Sequence, residues 1–428
     1  YFVYVCFFCC LLPWCMVSCY RICFFFFFQA EDGIRALVRS RGLGDVYKRQ
    51  WLVIVNLASA EQSPPQESYL LRVAETLELC RGDIGAMTAP ADAAAGNLDA
   101  GGALYAGGDG AFVSEMCGRA GGLMLIRPLH DELPAKGDVV LYAPGPELAA
   151  PEGVLASGAS VVVVGGKMEA EGIVAFSAHA EAYGISPRLA AAAQGWVFTA
   201  ELVAALTRRG RMPVMFESIG MYGAYARMDK YLKQGVLYHE HHEVPPIDPG
   251  RLGGRYIDIV GAMLRRVERE ETDRLSRAAA WAAGARADGH RLAMYSMGHL
   301  FPDEIGKTPI GQVFESAPWN AGFLNEPTLG QEYASGDVLI HIGYQHPPYR
   351  LLEGARTQGA NVVYVSVLQH RDYVSDPAVI WIDPMWSWCD ACMPLEGYDI
   401  QILPASGIVN GAIAWEIYRQ TVKDSTPR

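Results

Sequence analysis

The segment GHLFPDEIG (298–306) gathers three side chains able to handle protons or bind a metal: His299, Asp303 and Glu304. A helix running through all of it would put His299 and Asp303 on one face, where a histidine beside a carboxylate serves as a base or a metal ligand. Pro302 instead suits a helix beginning after His299, and then Asp303 and Glu304 favour that start simply by their charge. HEHHE (239–243) holds three His and two Glu, enough donors for Zn²⁺, yet consecutive residues rarely all face one ion and a solvated loop is the ordinary reading. WCDAC (388–392) has the C-x-x-C spacing of a redox pair but stands 36 residues from the last residue, whereas a thioredoxin-type pair follows the first strand of its fold. In an oxidising compartment Cys389 and Cys392 would form a local disulfide.

These residues are set in a chain that alternates helical and strand patterns from Ser68 onward, which predicts a parallel α/β sheet covered by helices. The order occurs twice. YLLRVAETLELC (69–80) and YIDIVGAMLRRV (256–267) are helical, each followed by an Ala-rich helix. GGALYAGGDG (101–110) and GHRLAMYSMGH (289–299) are strands entering a glycine turn. GDVVLYAPG (137–145) pairs with GDVLIHIGY (336–344), and GASVVVVGG (158–166) with GANVVYVSV (359–367). Fully apolar short strands fit a sheet buried on both faces. The expectation is a tandem duplication with its boundary near Gly250, giving subdomains 61–250 and 251–428, with ILPASGIVNGAIAWEIYRQ (402–420) as a turn and closing helix.

The 428 residues carry a net charge of −12, which argues against a nucleic-acid partner, since polyphosphates need clustered Lys and Arg. Residues 1–28 hold six of the ten Cys and eight of the fifteen Phe with one charge, Arg21, and run into FQAEDGIRALVRSRGLGDVYKRQ. This stretch resembles translated sequencing-adapter DNA, so 1–50 is set aside as an artefact and the apolar run is not taken for a membrane span. The remainder holds 29 Lys/Arg and 44 Asp/Glu, a net charge of −15. WLVIVNLASA (51–60) has the form of a signal-peptide core with an A-x-A site, which predicts a periplasmic or secreted protein, the alternative being cytoplasmic.

The unit "Gly-Asp strand, loop, helix, Gly-Ala strand" is similar to the SIS (sugar isomerase) domain, most clearly in GDVLIHIGYQHPPYRLLEGARTQGANVVYVSV (336–367). GGALYAGGDGAFVSEMCGR (101–119) resembles the phosphoheptose isomerase branch. The resemblance implies two flavodoxin-like subdomains packed as a pseudo-dimer, a sugar or sugar-phosphate ligand, aldose–ketose isomerisation, and further self-association as a homo-oligomer. The alternative is a non-catalytic carbohydrate-binding or sensing protein. A dinucleotide enzyme is disfavoured, because no G-x-G-x-x-G opens a helix after a strand.

Ligands of such sheets sit at the carboxyl ends of the strands. That edge gives Gly108, Asp109, Gly110, Ser296, Gly298, Gln345 and His346 as ligand-binding candidates. SIS phosphate sites use Ser and Thr hydroxyls in the loop after the Gly-Asp strand. Here those loops read APGPE (143–147) and GYQHPP (343–348), without either residue, and proline removes N–H donors. Phosphate recognition is therefore expected to be weakened, with Asp109 accepting sugar hydroxyls. EMCGR resembles the segment that carries a catalytic or metal-binding Glu, which nominates Glu115, although the family's His four positions earlier is Ala111. The catalytic candidates are Glu115, His299 and Glu304. No cofactor is required, a divalent metal is admitted at Asp303 with His241 reaching across from the other subdomain, and Glu217 is a weaker candidate.

Overall fold

The computed structural model describes residues 67–424 apart from 130–132, 146–151, 167, 169–171, 297, 317–331, 346, 370–372 and 374. The adapter-like and signal-like segments and His346 lie outside the described residues. The first half runs α1 (Tyr69–Asp99), β1 (Leu104–Gly108), α2 (Gly110–Met116), β2 (Ile126–Pro128), β3 (Val139–Ala143), α3 (Glu152–Ala156), β4 (Ser160–Val164), β5 (Ile173–Phe176), α4 (Ala180–Tyr183) and α5 (Pro187–Arg208). A connection with β6 (Met212–Pro213), α6 (Ala224–Lys230) and β7 (Tyr238–His239) leads to the second half. That half runs α7 (Arg251–Ala287), β8 (Leu292–Ser296), α8 (Phe301–Gly306), β9 (Glu315–Ser316), β10 (Val338–Ile342), α9 (Tyr349–Thr357), β11 (Asn361–Val365), β12 (Val379–Ile382), β13 (Ala391–Met393), β14 (Ile402–Pro404) and α10 (Ser406–Asp424).

Each half forms a five-stranded parallel sheet, in the orders β2-β1-β3-β4-β5 and β9-β8-β10-β11-β12. Taken within each half, both are the order 2-1-3-4-5 of flavodoxin-like sheets, so the expected fold class is the observed one. The central strands are apolar because both faces are covered: every residue of β3 and β10 is buried. The helices differ from expectation in one respect. Each helix expected to be followed by a separate Ala-rich one is a single continuous helix, α1 of 31 residues and α7 of 37. In α7 nothing breaks the helix between the two stretches, and α1 continues through Pro90.

Helices α1 and α5 lie on the first sheet and α7 on the second, and these pack against one another and against α10. One continuous apolar core therefore passes through both halves, from Leu70, Leu77 and Trp196 to Tyr256, Leu264 and Ile413. Among the described residues α5 alone is long and apolar enough to cross a bilayer, and its apolar window is wholly buried in this core. Glu201, fully buried on α5, ties the halves together by taking the Gly250 N–H on Oε2 (2.7 Å) and the Gly253 N–H on Oε1 (2.9 Å) at the start of α7. A carboxylate on the orphan donors of a 37-residue helix is stabilised by the helix dipole. Glu201→Gln keeps one acceptor and loses the charge, so a loss of about 1–2 kcal/mol in urea unfolding is expected; an unchanged midpoint would remove this role.

Candidate functional site

In this strand order the crevice opens beyond the carboxyl ends of β1 and β3, and of β8 and β10. The first crevice holds a cavity of about 490 Å³. Gly108 ends β1 with φ +96°, which lets the Asp109 N–H reach the Ala143 carbonyl of β3 (2.8 Å). A Cβ on Gly108 would fall inside that carbonyl oxygen. The turn delivers Asp109 to the cavity as the N-cap of α2, its Oδ1 accepting the Ala111 N–H. Arg188, in the first turn of α5, places Nε 3.2 and 3.0 Å from the two Asp109 carboxylate oxygens and also lines the cavity. Tyr69, Phe112 and Trp415 supply aromatic walls, and the second half contributes Lys307 and Thr308.

Glu304 lies behind this wall. Its side chain is fully buried, Oε1 accepts the indole N–H of Trp415 (2.6 Å), and Oε2 makes no hydrogen bond. Burial raises its pKa, against the opposing pull of the neighbouring Ser186, the Trp415 indole and the nearby Arg188.

At the centre of the second crevice, among the described residues, side chains from both halves meet. Arg119 from the first half is 1% exposed there. Its Nε meets Glu115 Oε1 (3.1 Å), Nη1 donates to Tyr344 Oη (2.8 Å) and pairs with Asp390 Oδ2 (3.2 Å), and Nη2 donates to Ser406 Oγ (2.5 Å). Trp196 donates its indole N–H to Glu115 Oε1 (3.2 Å), and Glu115 Oε2 makes no hydrogen bond. Burial raises the Glu115 pKa, Arg119 opposing it. Gln345 is also consumed internally, donating to Ser218 Oγ (2.8 Å) and the Trp388 carbonyl (2.7 Å).

The structure therefore separates the predicted site residues. Gly108, Asp109 and Gly110 form the rim of the first crevice, Glu304 stands just behind it, and Glu115 and Gln345 belong to the filled second crevice. His299 precedes α8, with φ +53°, and its half-buried ring donates from Nδ1 to the Ser114 carbonyl (2.8 Å). Desolvation first, and Arg119 next, push its pKa down to about 3, so the ring is neutral and spent on packing between α2 and α8. Gly298 supplies the left-handed turn before it (φ +56°), and Ser296 ends β8 opposite Ile342.

The expected metal donors do not meet. Asp303 pairs with Lys307 (2.9 Å), His241 is 93% exposed, and among the described residues no three His, Cys, Asp or Glu side chains converge. The HEHHE loop packs instead through His239 and His242 on Tyr398. Glu217 is half-buried, with burial raising its pKa and Arg227 opposing. Cys389 and Cys392 are free thiols, the first bonded to the Ala391 carbonyl and the second buried.

Arg119, Arg188, Trp196, Trp415 and Asp390 were not singled out in the sequence. One signal for two of them was present: each closing helix carries a Trp, in QGWVF (194–198) and IAWEI (413–417), and each Trp binds the Glu of its own half.

No family model matches the chain, and no curated protein does. Among solved structures it is similar to the C-terminal domain of glucosamine-fructose-6-phosphate aminotransferase from Francisella tularensis, with 9% identity, a TM-score of 0.44, and coverage of 84% of this chain and 97% of that one. Fold and site together define a single-chain pair of flavodoxin-like α/β units with a cavity in the first crevice.

Proposed function

We propose that the chain binds a sugar or polyol in the first crevice, as a carbohydrate-binding protein of the SIS type with reduced phosphate recognition. The observation that carries this reading is the composition of the cavity. A carboxylate and a guanidinium that hold each other, Asp109 and Arg188, face aromatic walls, an arrangement suited to hydroxyl groups on an apolar ring face. Two lining positions at these edges, Pro144 after β3 and Pro187 at the start of α5, have no backbone N–H to offer a phosphate. Residues 61–428 titrated with D-glucose, D-fructose and sorbitol, and with the 6-phosphates of the two sugars, test it by thermal stabilisation. Neutral ligands should stabilise the protein, and Arg188→Ala should weaken them about tenfold. Stabilisation by the phosphates alone would overturn the reading. Export through the 51–60 segment belongs to the same proposal, and the N-terminus of the exported protein would then be Glu61.

Glu304 favours a second reading, aldose–ketose isomerisation. Its unbonded Oε2 and raised pKa are what a general acid–base needs: a carboxyl that takes the proton from the carbon beside the carbonyl and returns it to the neighbouring carbon, while a proton passes between the two oxygens. Glu304→Gln should lower isomer interconversion at least about 100-fold. It should not unfold the protein. A carboxyl whose folded pKa is raised favours folding fully only below its unfolded value, about 4.3, and loses that contribution as pH rises toward the folded value. At pH 7 the amide is therefore as stable as the acid or more so, and stability between pH 4.5 and 7 becomes flatter. Wild-type protein that binds sugar without interconverting it would leave the binding role alone.

A further inference from the structure

The two crevices are counterparts residue by residue. Glu115 and Glu304 each lie on the short helix after the first strand of their half, each receives an indole N–H from the closing helix of the same half, and each keeps Oε2 unbonded. Each also stands at the crevice of the opposite half. Glu304 lies beside Ser186, the N-cap of α5. Glu115 lies against Gly407 in the first turn of α10, so closely that a Cβ there would overlap its carboxylate. The contacts between α2 and α8 follow the same exchange: His299 donates to the Ser114 carbonyl, and a Cβ on Gly110 would stand 3.1 Å from Asp303 Oδ2. At the 189-residue spacing of Glu115 and Glu304, Gly110 corresponds to His299, Ser114 to Asp303 and Arg119 to Thr308. The aligned strands GDVVLYAPG and GDVLIHIGY likewise match Gly145 to Tyr344.

Those last two pairs account for the difference between the crevices. Gly145 and Thr308 line the open cavity, whereas Tyr344 and Arg119 fill the other. We propose that the second crevice is a formed cation site occupied in cis by the Arg119 guanidinium. Its walls provide what a guanidinium ligand needs. Glu115 and Asp390 give two carboxylates, Ser406 and Tyr344 give hydroxyl acceptors, and the Tyr344 ring lies 5.1 Å from the guanidinium carbon. The walls are fixed independently of Arg119. The Tyr344 carbonyl accepts from Ser366 Oγ, the Gly343 carbonyl from Asn410, and Asp390 Oδ1 from the Ser406 N–H. A consequence, which rests on the carbohydrate reading of the first crevice, is that the chain binds one sugar and not two.

Arg119→Ala tests the site without reference to any sugar, with methylguanidinium chloride as the probe. The variant should melt about 10 °C below wild type. Millimolar methylguanidinium should restore at least half of that loss, binding one per chain by calorimetry, while wild type neither binds it saturably nor gains stability. Arg119→Met, whose side chain occupies the same space without charge, should not respond. An alanine variant that melts lower and shows no saturable uptake overturns the proposal, because the crevice then exists only around its own arginine. Should Arg119→Ala be recovered unfolded, refolding with and without the probe decides the same question: a yield that rises with methylguanidinium and not with equal guanidine-free salt supports it, and an unchanged yield overturns it. Failure of every sugar to bind would leave this result standing, since it concerns the first crevice.

Discussion

Arg119→Met is expected to destabilise the protein by about 3–5 kcal/mol at pH 7, among the largest effects of any single substitution in the chain. The guanidinium joins two carboxylates, a phenol and a hydroxyl in a place with almost no solvent contact. Replacing a whole buried ionic cluster by apolar residues is often nearly neutral, but removing its cation alone leaves Glu115 and Asp390 buried without an opposite charge. The sign of the pH dependence follows. Burial already raises the Glu115 pKa and Arg119 opposes it, so loss of Arg119 raises it further. The folded variant then holds a proton that the unfolded chain releases near pH 4.3, and its deficit grows as pH rises above that value. Urea unfolding at pH 4.5 and pH 7 would show the smaller deficit at the lower pH. Equal deficits at both would mean the arginine matters for packing and not for charge.

Gly108→Ala is expected to cost about 3 kcal/mol and to abolish ligand binding in the first crevice. Two independent penalties coincide there. The φ of +96° is strained for any residue with a Cβ, and that Cβ would overlap the Ala143 carbonyl, forcing β1 and β3 apart where the Asp109 N–H joins them. The neighbouring Gly101 has a similar φ of +98° but open space around it, so Gly101→Ala suffers the strain alone. A urea midpoint for Gly108→Ala no lower than that of Gly101→Ala would show that the close approach of the two strands is not what requires glycine.

How far the sequence disclosed the molecule depends on the range of the interaction. Short-range pattern was sufficient for the sheets: short, mostly apolar runs after Gly-Asp and Gly-Ala turns became β3, β4, β10 and β11. The glycine loop was legible because Gly108 and Asp109 act on their immediate neighbours. The partners of Glu115 were only half legible. Arg119 is only four residues away, just past the end of α2, whereas Tyr344, Asp390 and Ser406 join through the packing of one half on the other. Gln345 and His299 looked like ligand residues by position at the strand edge. Position could not reveal that the Ser218 hydroxyl and the Ser114 carbonyl would claim them. Arg188 was passed over because nothing in the local pattern of α5 separates an arginine facing a cavity from one facing water.

The helices at the centre of the molecule make the two halves one body, with each crevice finished by a carboxylate from the opposite half. In a symmetric dimer of identical chains every substitution is made in both sites at once, so an arginine that strengthens one interface must also obstruct the other. Here the two crevices are encoded separately. Arg119 can sit at one crevice while Thr308 sits at the other, so the buried charge network is confined to the side where it holds the halves together.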